Sequence, residues 1–423
     1  MSLKETIREQ ATRAKEAAIA LARCKTAIKN QALLSMADAL ISKAEFILEE
    51  NKKDIISGRS KGLTVPLLQR LTLTQKQITD MAVGIREVAA LPDPAGEIFN
   101  LKRRPNGMQV GQMRVPIGLI GIIYESRPNV TADVAALCIK SGNGVILRGG
   151  SEAIESNKAI ASVLTGAGTD AGLPKNAITL IETTDRQAIF EILELSDIID
   201  LIIPRGGEGL IQTVVSHSKI PVMKHDKGIC HTYIDATADL KMAEEVVFNA
   251  KVQRPATCNA METLLVHQAI AERFLPIIAK RLQDAGVSLR VCSRTAAFLK
   301  EAGLQNFVAA TDDDFKTEYL DLILSVKIVD HLDAAMSHIA QYGSAHSEAI
   351  ITQDYNQAMR FLNEVDASAV FINASTRLND GYQLGLGAEM GISTSRIHAR
   401  GPMGLEALTC AKFIVLGNGQ IRE

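Results

Sequence analysis

The chain has 423 residues, 47% of them hydrophobic and 22% charged, with 46 Lys and Arg against 48 Asp and Glu. That length exceeds one simple core and points to two or three domains, and the composition is that of a soluble globular protein. A formal net charge of −2 gives no global field for nucleic acid or an anionic membrane, so small molecules are the expected partners.

The first residues, MSLKETIREQATRAKEAA, alternate charge with small apolar side chains and lack the uninterrupted apolar core of a secretory signal. No later run approaches the length of a membrane span, so a cytoplasmic location is expected. Leu33, Met36, Ala37, Leu40 and Ile41 share one helical face, which predicts a mostly helical region from residue 3 to about 95. Residues 101 to 115, LKRRPNGMQVGQMRV, place a Pro-Asn-Gly turn between strand-like residues. This predicts a protruding hairpin suited to subunit contact.

Apolar runs then recur at 117 to 123, 144 to 148, 177 to 182 and 199 to 203, as in a parallel sheet covered on both faces. Ligands collect at the carboxyl ends of such strands, which directs attention to Tyr124 to Asn129, Gly149 to Glu152 and Pro204 to Gly209. Glycines there let backbone amides approach phosphates at a helix N-terminus. Arg205-Gly206-Gly207-Glu208-Gly209 does not match GxGxxG, and by itself it fits a tight turn as well as a nucleotide site. A second α/β block begins near 228. CHTYIDA reads as a strand, 238 to 252 as a helix and METLLVH as a strand, with further strands predicted at 288 to 292, 324 to 329, 348 to 352 and 369 to 372.

Within that block Cys258 lies in a short polar turn, flanked by Thr257 and Asn259 and preceded by Arg254-Pro255. A cysteine packed as a small hydrophobe has apolar neighbours on a regular element, whereas this one sits where a proline interrupts a helix. Arg254 is placed to favour the thiolate, and amides at the turn to receive an oxyanion. Spacing alone also fits a plain loop cysteine. The cysteines, at 24, 138, 230, 258, 292 and 410, form no CxxC pair and lack nearby histidine spacing, so reduced thiols and no metal site are expected.

Five segments, YESRPNVTADVAALCIKSGNGVILRGGSEA, IIPRGGEGLI, QRPATCNAMETLLVH, EYLDLILSVKIVD and HARGPMGLEALT, together resemble the gamma-glutamyl phosphate reductase family of the aldehyde dehydrogenase superfamily, in order and over essentially the whole chain. The resemblance implies two parallel-sheet α/β domains with a small β oligomerisation flap. Residues 1–100 and 117–227 would form the cofactor-binding domain and 228–365 the catalytic domain. Residues 101–116 and 398–423 would form the oligomerisation hairpin and tail, with 366–397 returning to the cofactor-binding domain. The implied reaction is the NADPH-dependent reduction of L-glutamyl 5-phosphate to L-glutamate 5-semialdehyde and phosphate, the second step of proline synthesis from glutamate.

Residue by residue, Cys258 matches the family nucleophile and its own amide is the first oxyanion donor. Asn129 is the asparagine of the turn from which hydrolytic relatives supply a side-chain donor, although an ungapped register does not align it with theirs. Arg148 stands where many superfamily members have a lysine beside the adenosine ribose, and a guanidinium there suits the 2′-phosphate of NADP. Gly149, Gly206, Gly207 and Gly209 would bring backbone to the dinucleotide, and Glu318 matches the glutamate that holds the nicotinamide ribose. Where hydrolytic relatives carry a water-activating glutamate, this chain reads Lys224-His225-Asp226-Lys227-Gly228, so Lys224, His225 and Arg254 are expected at the departing phosphate. Arg127, Arg396, Arg400 and Glu389 are candidates for the glutamyl α-carboxylate and α-ammonium. The final apolar strand, FIVLG, would leave an unpaired edge for another subunit. A homodimer or higher assembly and a functional contact with glutamate 5-kinase are the expected protein partners.

Overall fold

The computed structural model describes residues 1–224 and 227–422. The predicted helical opening consists of Leu3–Leu21, Thr26–Ser42, Ala44–Ser60, Val65–Leu71 and Gln75–Ala90. Two of these start on reciprocal capping boxes, Ser2 with Glu5 and Thr74 with Gln77, each satisfying helix amides that have no intrahelical acceptor. Of the predicted stripe on the second helix, Leu33, Met36, Ala37 and Leu40 are completely buried, whereas Ile41, at the margin of the stripe, is exposed.

In chain order the strands are β1 (Ile98–Arg103), β2 (Gln109–Pro116), β3 (Leu119–Tyr124), β4 (Gly144–Arg148), β5 (Ile178–Leu180), β6 (Leu201–Arg205), β7 (Cys230–Ile234), β8 (Met261–His267), β9 (Ser288–Val291), β10 (Val308–Ala309), β11 (Ile323–Val329), β12 (Ser347–Ile351), β13 (Ala369–Ile372), β14 (Ile392–Ser393), β15 (Gly401–Pro402) and β16 (Thr409–Leu416). The chain divides into two compact units, 1–224 with 385–391 and 403–423, and 225–384 with 392–402.

In the first unit, the described strands form a sheet in the order β5-β4-β3-β6, with parallel ladders throughout. β3 and β4 are buried along their whole length, which is why their sequences read as unbroken apolar runs. Leu119, Ile123, Ile146 and Ile202 share a core with Ile7, Ala11, Ala14 and Ala18 of the first helix. The predicted hairpin is present and longer than expected: β1 and β2 pair antiparallel, and β16 pairs with the other side of β2 from Thr409↔Pro116 to Leu416↔Gln109. One edge of the expected terminal strand is therefore taken by β2. Its other edge has no strand partner among the described residues, and Phe413, Val415 and Leu416 stand exposed on it.

The second unit holds a larger sheet, β10-β9-β11-β8-β7-β12-β13 among the described residues, again parallel throughout. Residues 366–397 do not return as one piece to the first unit. β13 continues this sheet beside β12, from Ser347↔Ala369 to Ile350↔Ile372, because its backbone groups find their ladder partners there. Only 385–391 cluster with the first unit, and the short β14–β15 ribbon stays with the second, so the tail in the first unit begins at 403 rather than 398. Among the described residues no helix is long and apolar enough to cross a membrane.

Candidate active site

In the second unit the helix Leu240–Val252 stops just ahead of Pro255, which cannot continue it, and the chain turns through 253–260 before entering β8. Cys258 lies half-buried in this turn. The hydroxyl of Thr257 donates to the carbonyl of Arg254 at 2.9 Å and to Asn259 Oδ1 at 3.0 Å. The Asn259 side chain donates to the carbonyl of Asn379 at 3.0 Å, and Thr376 Oγ1 donates to the Asn259 carbonyl at 2.8 Å. The Cys258 turn is thus tied to the segment that follows β13.

Gly228, just before β7, backs the turn from the other side. A Cβ there would lie 2.6 Å from Cys258 Cα and nearer still to its carbonyl oxygen. Backbone against backbone at this spacing admits only glycine. The Gly228 amide donates to Glu318 Oε1 at 3.0 Å, which fixes the carboxylate expected to hold a ribose. The thiol of Cys230 donates to the Cys258 carbonyl at 3.1 Å. Burial pushes the Cys230 thiol far up, with Glu348 and Cys258 adding to the effect, so it acts as a protonated donor.

Two buried polar groups support this unit. Lys251 and Glu262, both fully buried, pair at 2.6 Å, and the Leu320 amide donates to the other Glu262 oxygen at 3.2 Å. Burial raises the Glu262 carboxyl to about 7 against the opposing pull of Lys251. Further along the sheet, His231 Nδ1 lies 2.9 Å from Glu348 Oε2, both side chains inaccessible to solvent. Lys327 Nζ donates to His338 Nδ1 at 3.2 Å. Burial first, then His231 and Lys327, push His338 down to about 3, so its imidazole is neutral.

Sequence reading missed Arg377. Its Nε donates to Gln253 Oε1 at 3.0 Å, and one terminal nitrogen donates to Asn259 Oδ1, so it braces the residue next to Cys258. Nothing in the spacing links positions this far apart. Only the position of Arg377 beyond a strand carboxyl end offered a clue. Arg254 is exposed on the same turn. Arg396 and Arg400 are both engaged by one carboxylate, Asp366, with Arg400 at 2.8 Å, which makes them partners of that acid rather than open glutamyl-binding cations.

The first unit presents the glycine turn between β6 and the helix Glu208–His217. The Gly207 amide donates to Glu125 Oε2 at 2.8 Å. A Cβ at Gly206 would meet the Glu125 carboxyl carbon at 2.6 Å and Leu210 at 2.8 Å, so any larger residue would displace the ends of these two side chains. At Gly207 the nearest atom would be 3.8 Å away, and at Gly209 nothing lies within 4 Å, which leaves room for a ligand against the backbone. Arg148 is buried at the end of β4. It donates to the carbonyls of Gly149 at 2.8 Å, Asp185 at 3.3 Å and Thr184 at 3.4 Å, and its Nε has no partner among the described residues. Gly149 packs against Asn157 where a side chain would collide. The Asn129 amide, expected as an oxyanion donor, instead donates to Asp133 Oδ2 at 3.0 Å, one turn along its own helix. Arg127 is exposed in the turn before that helix, Lys224 and Glu389 are half-buried in this unit, and His225 lies outside the described residues. Among the described residues no cluster of His, Cys, Asp and Glu is built to hold a metal.

The second unit thus carries a thiol in a clamped turn, and the first a glycine turn between a parallel strand and a helix. The chain belongs to the aldehyde dehydrogenase family, whose model matches residues 3–296. It is 56% identical over 423 residues, the whole of both chains, to gamma-glutamyl phosphate reductase of Thermodesulfovibrio yellowstonii. The crystal structure of gamma-glutamyl phosphate reductase from Thermotoga maritima, 46% identical, superposes with a TM-score of 0.95 over 99% of this chain and 100% of that one. An acetylating aldehyde dehydrogenase from Geobacillus thermoglucosidasius, 17% identical, shares the fold alone, with a TM-score of 0.70 over 100% of this chain and 98% of that one.

Proposed function

We propose that this chain reduces L-glutamyl 5-phosphate to L-glutamate 5-semialdehyde, releasing phosphate, through a thioester on Cys258. It thereby carries out the second step of proline synthesis from glutamate. The observation that carries this reading is the Cys258 turn, closed on one side by Gly228 and on the other by Asn259, Thr376 and Asn379, in a chain 56% identical to a gamma-glutamyl phosphate reductase. The Cys258 thiolate attacks the acyl carbon. A C–S bond forms, the bond to the phosphate oxygen breaks, and phosphate leaves with the electron pair, so no strong general acid is required. When bound, a nicotinamide coenzyme would supply hydride to the thioester carbon, leaving a thiohemiacetal oxyanion on Cys258. Collapse of that adduct restores the C=O bond and expels the Cys258 thiolate. The Cys258 amide is the donor assigned to the oxyanion formed at both stages.

The residues fit such a coenzyme. Gly207 and Gly209 leave open space at a helix N-terminus, the buried Arg148 Nε lacks a partner among the described residues, and the Glu318 carboxylate is held in place by the Gly228 amide. NADPH is the proposed form, with Arg148 and Gly149 near the adenosine ribose and Glu318 on the nicotinamide ribose. The Lys224–Gly228 segment carries lysine and histidine where hydrolytic relatives have a water-activating glutamate, which spares the thioester for phosphate. Lys224, His225 and Arg254 are assigned to that phosphate. A cytoplasmic homodimer or larger assembly through β16, with a functional contact to glutamate 5-kinase, completes the proposal.

The test is NADP reduction by glutamate 5-semialdehyde with and without phosphate. Wild type is expected to require phosphate, and Cys258→Ala to lose at least about 10⁴-fold in rate. Phosphate-independent oxidation would instead mark a hydrolytic aldehyde dehydrogenase. His225→Glu is expected to divert thioester to glutamate, and unchanged partitioning between phosphorolysis and hydrolysis would remove His225 from the phosphate site.

A further inference from the structure

We propose that Arg377 binds the phosphoryl group of the acyl phosphate, completing with Arg254 an anion site beside Cys258. This rests on the function proposed above and adds to it a residue from a distant part of the chain. Arg377 is oriented entirely by neutral acceptors, Gln253 Oε1 through Nε and Asn259 Oδ1 through one terminal nitrogen. Its remaining terminal nitrogen, Nη2, makes no hydrogen bond among the described residues, and neither Arg377 nor Arg254 forms an ion pair with a carboxylate there. Elsewhere in the same unit several arginines are matched, Arg281 by Glu244 and Glu245, Arg294 by Asp330, and Arg360 by Asp333 and Glu364.

The electrostatics agree with this placement. Burial makes the Arg377 guanidinium easier to deprotonate, and Arg254 repels it further. Cys258 is the largest influence in the opposite direction, ahead of Asp380 and Cys230. Two guanidinium groups close enough to repel, one of them half-buried and anchored to the residue after the nucleophile, make a site for a dianion. Guanidinium geometry favours two parallel N–H bonds to phosphate oxygens. In the forward direction these cations stabilise the charge that develops on phosphate as its bond to the acyl carbon breaks. In reverse they hold phosphate for attack on the thioester.

The experiment uses the full chain in the oxidative direction with phosphate varied. Arg377→Gln is expected to raise KM for phosphate by about 10- to 100-fold while KM for the semialdehyde changes less than about 2-fold, as for loss of hydrogen bonds to a charged group. Arg377→Lys keeps the charge without the fork and should fall between. Inorganic phosphate should also protect Cys258 from iodoacetamide, at correspondingly higher concentration in Arg377→Gln. The alkylation rate without phosphate reports whether the turn is intact, and if Arg377→Gln fails to fold, the Lys variant decides. An unchanged KM for phosphate overturns the proposal, as does a shifted pH profile of alkylation with phosphate affinity intact, which would make Arg377 a positioning residue for the thiol. Absence of phosphate dependence in wild type would overturn the underlying function instead.

Discussion

Two arginine pairs in the second unit differ in one respect. Arg396 and Arg400 converge on the Asp366 carboxylate, whereas Arg254 and Arg377 lie by the nucleophile with no acid in ion-pair range among the described residues, and Arg377 is held by amide oxygens. A cation whose charge is balanced inside the protein has its structural partner already. One oriented by neutral acceptors beside the Cys258 turn retains attraction for an incoming anion. The sequence offered Arg254 for phosphate and Arg396 and Arg400 for the glutamyl group and passed over Arg377; the acceptors separate the two pairs.

The comparison is sharpened by charges that are fully matched in the core. Lys251→Met, which strands Glu262 without its partner, is expected to cost about 3–5 kcal/mol of stability, while Lys251→Met with Glu262→Leu should recover most of it. Denaturant unfolding of both variants checks this, and equal losses would refute the pairing. Gly228→Ala leaves every charge in place but pushes a Cβ into the Cys258 backbone. A displacement near 1 Å of the nucleophile should lower kcat/KM by about 10²-fold.

His338 provides a pH-dependent case. Its folded pKa, about 3, is depressed below that of an unfolded histidine, about 6.5. Its contribution is therefore fully present above about pH 6.5 and is lost as pH falls toward 3, with a slope of up to about 1.4 kcal/mol per pH unit. His338→Gln should flatten the acid side of the stability–pH curve. The smallest effects belong to the matched pair: Arg396→Ala and Arg400→Ala are each expected to cost within about 1 kcal/mol and to leave KM for phosphate unchanged. A large rise in that KM for either would break the distinction between the two pairs.

Most of the fold was legible because buried parallel strands leave a continuous apolar signature. GVILR, METLLVH and AVFI were read to the residue as β4, β8 and β13. Cys258 stood out in the sequence because a polar turn after Pro255 is an unusual place for a cysteine. The fate of 366–397 was not, since which unit a strand joins depends on its ladder partner, and β13 pairs with β12. Nor were side-chain destinations: Asn129 turns back to Asp133, Arg148 caps loop carbonyls, and Arg377 reaches the nucleophile turn. Each is decided by contacts between distant segments or by a rotamer, neither of which leaves a periodic trace.

The most direct test is to trap the acyl group itself. Enzyme mixed with glutamate 5-semialdehyde and NADP without phosphate, then acid-quenched and digested, should carry one glutamyl group on the peptide containing Cys258, and this adduct should vanish when phosphate is added before the quench. Turnover with no adduct on that peptide, or with the adduct on another cysteine, would contradict the assignment of Cys258 as the residue that carries the thioester.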